Sequence, residues 1–185
     1  MILGFSGKIG VGKTTTADLM VHKLGGDWKR VSFADALRKE CTELFGDLSD
    51  KSRFIDVDQD RLFFLGVVSV YPERLSVRQI LQMRGQYMRT KKPNYWVDKF
   101  AKQYKNEANL IIDDVRYVNE AQHVQRMGGL LVRIQPYGAW EPGPTSYHIS
   151  ETSLDEWGAW DGVVSPEYGR LDHLADSLIL SFQLR

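Results

Sequence analysis

Cysteine is nearly absent from this chain of 185 residues: Cys41 stands alone. A single cysteine excludes an intrachain disulfide and suggests a reducing compartment. It falls inside a helical pattern, so it reads as a small buried hydrophobe rather than a nucleophile. Net charge is missing as well, with 24 Lys and Arg against 24 Asp and Glu. That balance removes the electrostatic case for nonspecific binding to a nucleic acid polymer or a membrane surface, and leaves room for a local basic pocket. No apolar run approaches the roughly 20 residues that span a bilayer. The first strand would begin at Ile2, which leaves no space for a signal peptide and points to a soluble, cytoplasmic protein. Histidines number four, and no catalytic triad is visible. Repeats and low-complexity segments are lacking too. With 43% hydrophobic and 26% charged residues, the composition is that of an ordinary globular protein. The length predicts one domain over residues 1–185, with at most a small insertion.

Glycine, in contrast, is placed with purpose near the start. Gly7-Lys8-Ile9-Gly10-Val11-Gly12-Lys13-Thr14 fits G-x-x-x-x-G-K-[ST], the phosphate-cradling P-loop. Ile2 to Phe5 reads as a short buried strand before it, and Thr15 to Leu24 as a helix after it. Glycines let backbone N–H groups approach phosphates with no Cβ in the way. The helix start adds unpaired donors and a positive dipole end. Gly7, Gly10, Val11, Gly12, Lys13, Thr14 and Thr15 are therefore the expected ATP-binding set. Lys13 can reach the β- and γ-phosphates, and the Thr14 hydroxyl can serve Mg²⁺.

Beyond the loop the pattern alternates strand and helix. Strands are expected at Arg30–Phe33, Leu110–Ile112, Leu130–Ile134 and Val163–Val164. Helices are expected at Ala36–Leu44, from Ser76 to about Thr90, Tyr95–Lys105, Asn119–Met127 and Leu171–Phe182, with a short one at Ser153–Trp160. Ser32 with Asp35, and Ser76 with Gln79, have capping-box spacing. Asp47 to Asp60 gives no clear signal, and Arg61 to Tyr71 is ambiguous between strand and helix. Pro136 to Tyr147 reads as a loop. Such alternation predicts an α/β fold with a parallel sheet flanked by helices, binding ligands beyond the carboxyl ends of its strands.

Two of those strand ends carry chemistry. Asp113 and Asp114 directly follow the apolar run Leu110-Ile111-Ile112, where a P-loop protein places its Mg²⁺ partner. Side chains alternate along a strand, so one of the two is expected to face the metal, and either could instead cap the following turn. Arg116, two residues on, could clamp a phosphate bidentately or pair with the acidic neighbours. In the central helix, Val77, Ile80, Leu81 and Met88 form an apolar stripe. Arg78, Gln82 and Arg89 share another, with Gly85 between them. A mid-helix glycine costs up to about 1 kcal/mol relative to alanine, which suggests close approach, with an anionic second substrate as the candidate. Arg84 falls on the apolar stripe, requiring a buried partner or a snorkelling stem.

Taken together, these residues resemble the bacteriophage deoxynucleoside monophosphate kinases. The shared stretches are the P-loop, Val77-Arg78 with Leu81-Gln82 and Gly85, and Tyr95-Trp96-Val97. They continue with Asp114-Val115-Arg116, Asn119-Glu120-Ala121, Gly128-Gly129 and His148-Ile149-Ser150-Glu151, and reach from residue 2 to about residue 155. The resemblance implies a P-loop nucleoside monophosphate kinase-like fold with a helical acceptor-binding insertion at about residues 45–95 and a lid-like loop at about 136–150. The implied activity moves the γ-phosphate of ATP to a deoxynucleoside 5′-monophosphate, in the host cytoplasm if the chain is phage-encoded. The implied partners are small molecules; a homodimer is left open. Lys13, Asp114 and Arg116 would be catalytic, with Asp114 favoured over Asp113 because it matches the D of D-x-R. Arg78, Gln82, Arg89, Trp96 and Arg116 would bind the acceptor, Trp96 either walling the base or serving as a core residue. Thr14, Asp113 and Asp114 would serve Mg²⁺. His148 and Glu151 match without an assigned role.

Two departures stand out. Gln86 follows the mid-helix glycine where the family often has a small hydroxyl residue. The loop from Pro136 to Ser150 contains no Lys or Arg, so charge to close over the phosphates would come from Arg116, Arg78 or Arg89. The acceptor is already an ionised phosphate near pH 7, so no general base is expected. Other readings are a P-loop kinase of dephospho-coenzyme A or a sugar acid, a nucleotide-dependent switch, and a nucleic-acid-processing ATPase. No N-K-x-D guanine-recognition segment is present to support a GTPase switch.

Overall fold

The strands are short, and the central ones, such as Leu110–Ile112, are buried on both faces, which is the habit of parallel sheets. In the computed structural model, which describes residues 1–68, 74–138, 148–167 and 169–184, five of them form one sheet in the order β2-β5-β1-β6-β7. These are β1 (Ile2–Ser6), β2 (Lys29–Val31), β5 (Leu110–Ile112), β6 (Leu130–Ile134) and β7 (Gly162–Val164). All neighbours pair in parallel, with Gly4 opposite Ile112 on one side and Leu131 on the other. The period of two along β1 sends Leu3 and Phe5 into a core with α1 (Lys13–Leu24) and α8 (Leu171–Ser181), through Ala17, Met20, Leu174 and Leu178. Gly4 faces the other way, against Val124 of α6 (Val118–Arg126).

The chain divides into two compact units, Met1–Ser32 with Lys105–Arg185, and Phe33–Tyr104. The sheet and its helices make the first, together with α7 (Ile149–Thr152). The second contains α2 (Asp35–Phe45), α3 (Gln59–Phe64), α4 (Val77–Lys91) and α5 (Tyr95–Gln103), with an antiparallel pair of β3 (Phe54–Asp56) and β4 (Arg74–Ser76). Its core gathers Leu37, Cys41, Phe45, Leu62, Val77, Ile80 and Trp96. Cys41 is fully buried there, and burial pushes its thiol up to about 12, which leaves it inert.

Most expected elements lie within a few residues of where periodicity put them. The Ser76–Gln79 capping box forms as read: the Ser76 N–H donates to Gln79 Oε1, and the Gln79 N–H to Ser76 Oγ. The Ser32–Asp35 box does not form. Helix α2 starts from Ala34 with no side-chain cap, because Ser32 Oγ donates to Asp114 instead. The short helix comes at Ile149–Thr152 rather than Ser153–Trp160, since His148 Nδ1 accepts the Ser150 N–H and starts it early. The silent stretch 47–60 supplies β3 and the start of α3. The ambiguous run 61–71 is helical up to Phe64, with its last three residues outside the described ones. Of the lid-like loop 136–150, residues 139–147 lie outside them too. No helix among the described residues is long and apolar enough to cross a membrane.

Candidate functional site

The phosphate loop turns directly out of β1. Gly7 has φ +151°, and a Cβ there would lie 2.2 Å from the Ile134 carbonyl oxygen, so no side chain fits. Gly10 and Gly12 also hold positive φ. Gly12 is the N-cap of α1, so first-turn N–H groups lacking helical partners follow it immediately. Lys13 opens that helix, is only 7% exposed, and donates from Nζ to the carbonyls of Gly7 (2.8 Å) and Lys8 (2.7 Å). Burial, and then the neighbouring Arg116 cation, push its pKa down to about 8; Glu151, Asp114 and Asp113 oppose that fall. Thr14 and Thr15 are exposed, while the Val11 side chain belongs to the core.

Strand β5 runs beside β1, and the Val115 N–H donates to the Phe5 carbonyl at 2.9 Å. The acidic pair therefore comes out next to the loop. Asp113 is 5% exposed and accepts from Arg30 Nη1 at 3.0 Å, and Arg30 also holds Asp18 at 2.6 Å. Asp114 is partly exposed and accepts the Ser32 hydroxyl. Among the described residues no group of three or more His, Cys, Asp or Glu side chains is gathered for a metal. The donors at hand are hard oxygens, the Thr14 hydroxyl and the Asp114 carboxylate. They fit Mg²⁺, which commonly takes one or two protein carboxylates plus water and substrate phosphates. Asp113, committed to Arg30, fits less well.

Arg116 is built in from three directions. The buried Glu120 carboxylate, 1% exposed, accepts the N–H groups of Arg116 (2.9 Å) and Tyr117 (3.1 Å) and pins the turn after the D-x-R segment. Arg116 Nη1 donates to Glu151 Oε1 and, at 3.4 Å, to the Ser150 carbonyl. The other Glu151 oxygen accepts the Ile9 N–H of the phosphate loop at 2.9 Å. Local sequence reasoning gave Arg30 only a place in a strand and Ser32 only a helix-capping role, and assigned neither to the site. It quoted Glu120 and Glu151 only as motif letters, and an acidic residue in the first turn of a helix was the one signal available for Glu120.

In the second unit, Arg78, Gln82 and Arg89 are partly exposed along α4. Gly85 is explained within that unit. A Cβ there would stand 3.3 Å from Leu37 Cδ2 of α2 and 3.2 Å from Arg89 Nη1, so the close approach is to α2 rather than to a substrate. Trp96 is 2% exposed and its indole N–H donates to the Gly85 carbonyl at 3.0 Å. Of the two readings its position offered, this burial fits the core tryptophan. Arg84 has the buried partner its position demanded. It donates to Glu40 (3.1 Å) and the Phe64 carbonyl (2.9 Å) and lies 3.9 Å over the Phe64 ring.

Comparison with known proteins places this geometry. No protein-family profile matches the chain. A protein of Acanthamoeba polyphaga mimivirus named "Putative deoxynucleotide monophosphate kinase" is 31% identical over 186 residues, covering 89% of this chain and 87% of its own. "Uncharacterized protein ORF77" of Ictalurid herpesvirus 1 (strain Auburn) is 28% identical over 160 residues, which cover 84% of this chain and 59% of that protein. Among solved structures, shikimate kinase from Bacteroides thetaiotaomicron superposes with a TM-score of 0.51 at 10% identity, over 100% of this chain and 99% of that one. At that identity the likeness speaks to fold alone, and it matches the parallel sheet flanked by helices found here. A P-loop entered from β1, a D-x-R turn beside it, and a relative 31% identical over most of both chains place the chain in the deoxynucleoside monophosphate kinase family of P-loop kinases.

Proposed function

We propose that this P-loop kinase transfers the γ-phosphate of ATP to a deoxynucleoside 5′-monophosphate. The observation that carries the reading is the convergence of Lys13, Arg116 and the acidic pair on one glycine-lined loop. The mimivirus relative's name supplies the acceptor class.

In this reading the loop from Gly7 to Thr15 holds the triphosphate, and Lys13 leaves the Gly7 and Lys8 carbonyls for the β- and γ-oxygens. Thr14 and Asp114 would hold Mg²⁺, which would supply positive charge to offset that of those oxygens. Ser32 fixes the Asp114 carboxylate, and Arg30 keeps Asp113 occupied. Arg116 presents a planar fork to the phosphoryl group in flight, where charge spreads over three equatorial oxygens. In the second unit, the stripe of Arg78, Gln82 and Arg89 is assigned to the acceptor monophosphate. The acceptor oxygen needs no base, since the second phosphate pKa is about 6.

The test is a panel of all deoxynucleoside and ribonucleoside monophosphates with ATP, alongside dephospho-coenzyme A and shikimate. At least one deoxynucleoside monophosphate should yield a diphosphate, and Arg116→Ala should slow that turnover by about 100-fold without unfolding the protein. Transfer only to a non-nucleotide acceptor would replace the acceptor and keep the loop chemistry.

A further inference from the structure

We propose that Glu151 is a positioning residue for phosphoryl transfer, its carboxylate bracing the Arg116 guanidinium against the phosphate loop. The inference rests on the kinase reading above and assigns the H-x-S-E segment a part in it.

The geometry is a bracket. One Glu151 oxygen accepts the Ile9 N–H at 2.9 Å, and the other accepts Arg116 Nη1. The side chain is only 6% exposed, so little water competes for either oxygen. The backbone is tied down as well, since Lys8 Nζ donates to the Glu151 carbonyl at 2.6 Å and to Asp155 at 2.6 and 2.7 Å. His148 and Ser150 complete the support. The His148 ring nitrogen Nδ1 lies 2.8 Å from Ser150 Oγ and accepts the Ser150 N–H at 3.2 Å, while the Glu151 N–H donates to the His148 carbonyl at 2.8 Å. The motif thus fixes its own turn and delivers one carboxylate to the loop.

The chemistry explains why an acid belongs there. Lys13 and Arg116 are two cations in one partly buried place, and Asp113, Asp114 and Glu151 offset them. Glu151 is hydrogen-bonded both to the phosphate loop and to Arg116. A guanidinium has five N–H donors, and the bracket uses only Nη1. Donors remain for phosphate while the plane of the fork is held. An arginine already oriented loses less freedom when it grips the transferring group.

The test uses the full chain with Glu151→Gln, Glu151→Asp, Arg116→Ala and the Glu151→Gln/Arg116→Ala double variant. Glutamine keeps an oxygen for the Ile9 N–H and loses the charge. Aspartate keeps the charge and loses reach. We expect Glu151→Gln to lower kcat by about 10- to 100-fold with the KM for ATP changed less than about threefold. Aspartate should recover part of that loss. In the Arg116→Ala background the same substitution should cost less than about threefold, because the residue it positions is gone. Independently of any acceptor, the Arg116 guanidinium NMR signal, identified by its loss in Arg116→Ala, should be exchange-protected in the parent chain and unprotected in Glu151→Gln. A full multiplicative loss in the double variant, or an unchanged Arg116 signal, would overturn the proposal. If no deoxynucleoside monophosphate is phosphorylated, the acceptor assignment falls, and the NMR comparison still decides the bracket.

Discussion

Lys13 shows how far one side chain departs from its ordinary chemistry. In water its amine would hold a proton to about pH 10.5, yet burial and Arg116 bring that value down to about 8. Binding a triphosphate requires the ammonium form. ATP affinity should therefore be full below pH 8 and weaken as the pH rises through it, by up to about tenfold per pH unit. Calorimetry from pH 7 to 9 measures this directly, and proton uptake on binding should appear near pH 8. The folding free energy moves the other way. A depressed lysine pKa costs stability at neutral pH, and the cost is relieved between 8 and 10.5, where the unfolded chain binds more protons. Lys13→Ala should abolish turnover while leaving the fold in place. Lys13 and its loop were legible from eight consecutive residues. The partners that shift its pKa were not, because Arg116 and Glu151 lie far along the chain.

Helix packing in the second unit turns on one carboxylate. Glu40 of α2 accepts Tyr95 Oη (2.7 Å) and pairs with Lys99 (3.2 Å), both on α5, and takes Arg84 Nη2 of α4 (3.1 Å). Burial alone would raise its pKa, but the hydrogen bonds from Tyr95, Arg84 and Lys99 hold it below the usual value of 4.5. A depressed acid contributes its stability above the unfolded value and loses it as the pH falls through the folded one. Urea midpoints measured from pH 7 down to pH 3 should drop below 4.5, and Glu40→Gln should flatten that acid limb. Helix α4 itself was readable, since the Ser76–Gln79 box and the apolar stripe both lie within one window. The partner of Arg84 was not, because it sits 44 positions away. Nor was the reason for Gly85, which is a methyl of Leu37.

For the chain as a whole, the balance of 24 cations against 24 anions sets what it attracts. A protein that gains affinity by releasing counterions from a polyanion carries a net positive face and a steep salt dependence. Here the cations that matter are few and face local anions. Single- or double-stranded DNA should leave ATP turnover unchanged, whereas the accepted monophosphate should raise it. A coupled ATPase assay with each addition separates the two, and stimulation by DNA would point to a different class of enzyme.

Contiguous residues were enough to announce the phosphate loop, the apolar strands and the parallel α/β architecture. Each depends on short-range rules, namely glycine conformations, the period of a strand and the capping of a helix. The Ser32 hydroxyl could not be read that way: its spacing suits a helix cap, but it goes to Asp114, 82 positions later. Glu151 meets Ile9 across 142 positions and Arg116 across 35. Such contacts exist only after strands β2, β5, β1 and β6 have been laid side by side, because sheet pairing brings distant strand ends together and no local window contains both partners.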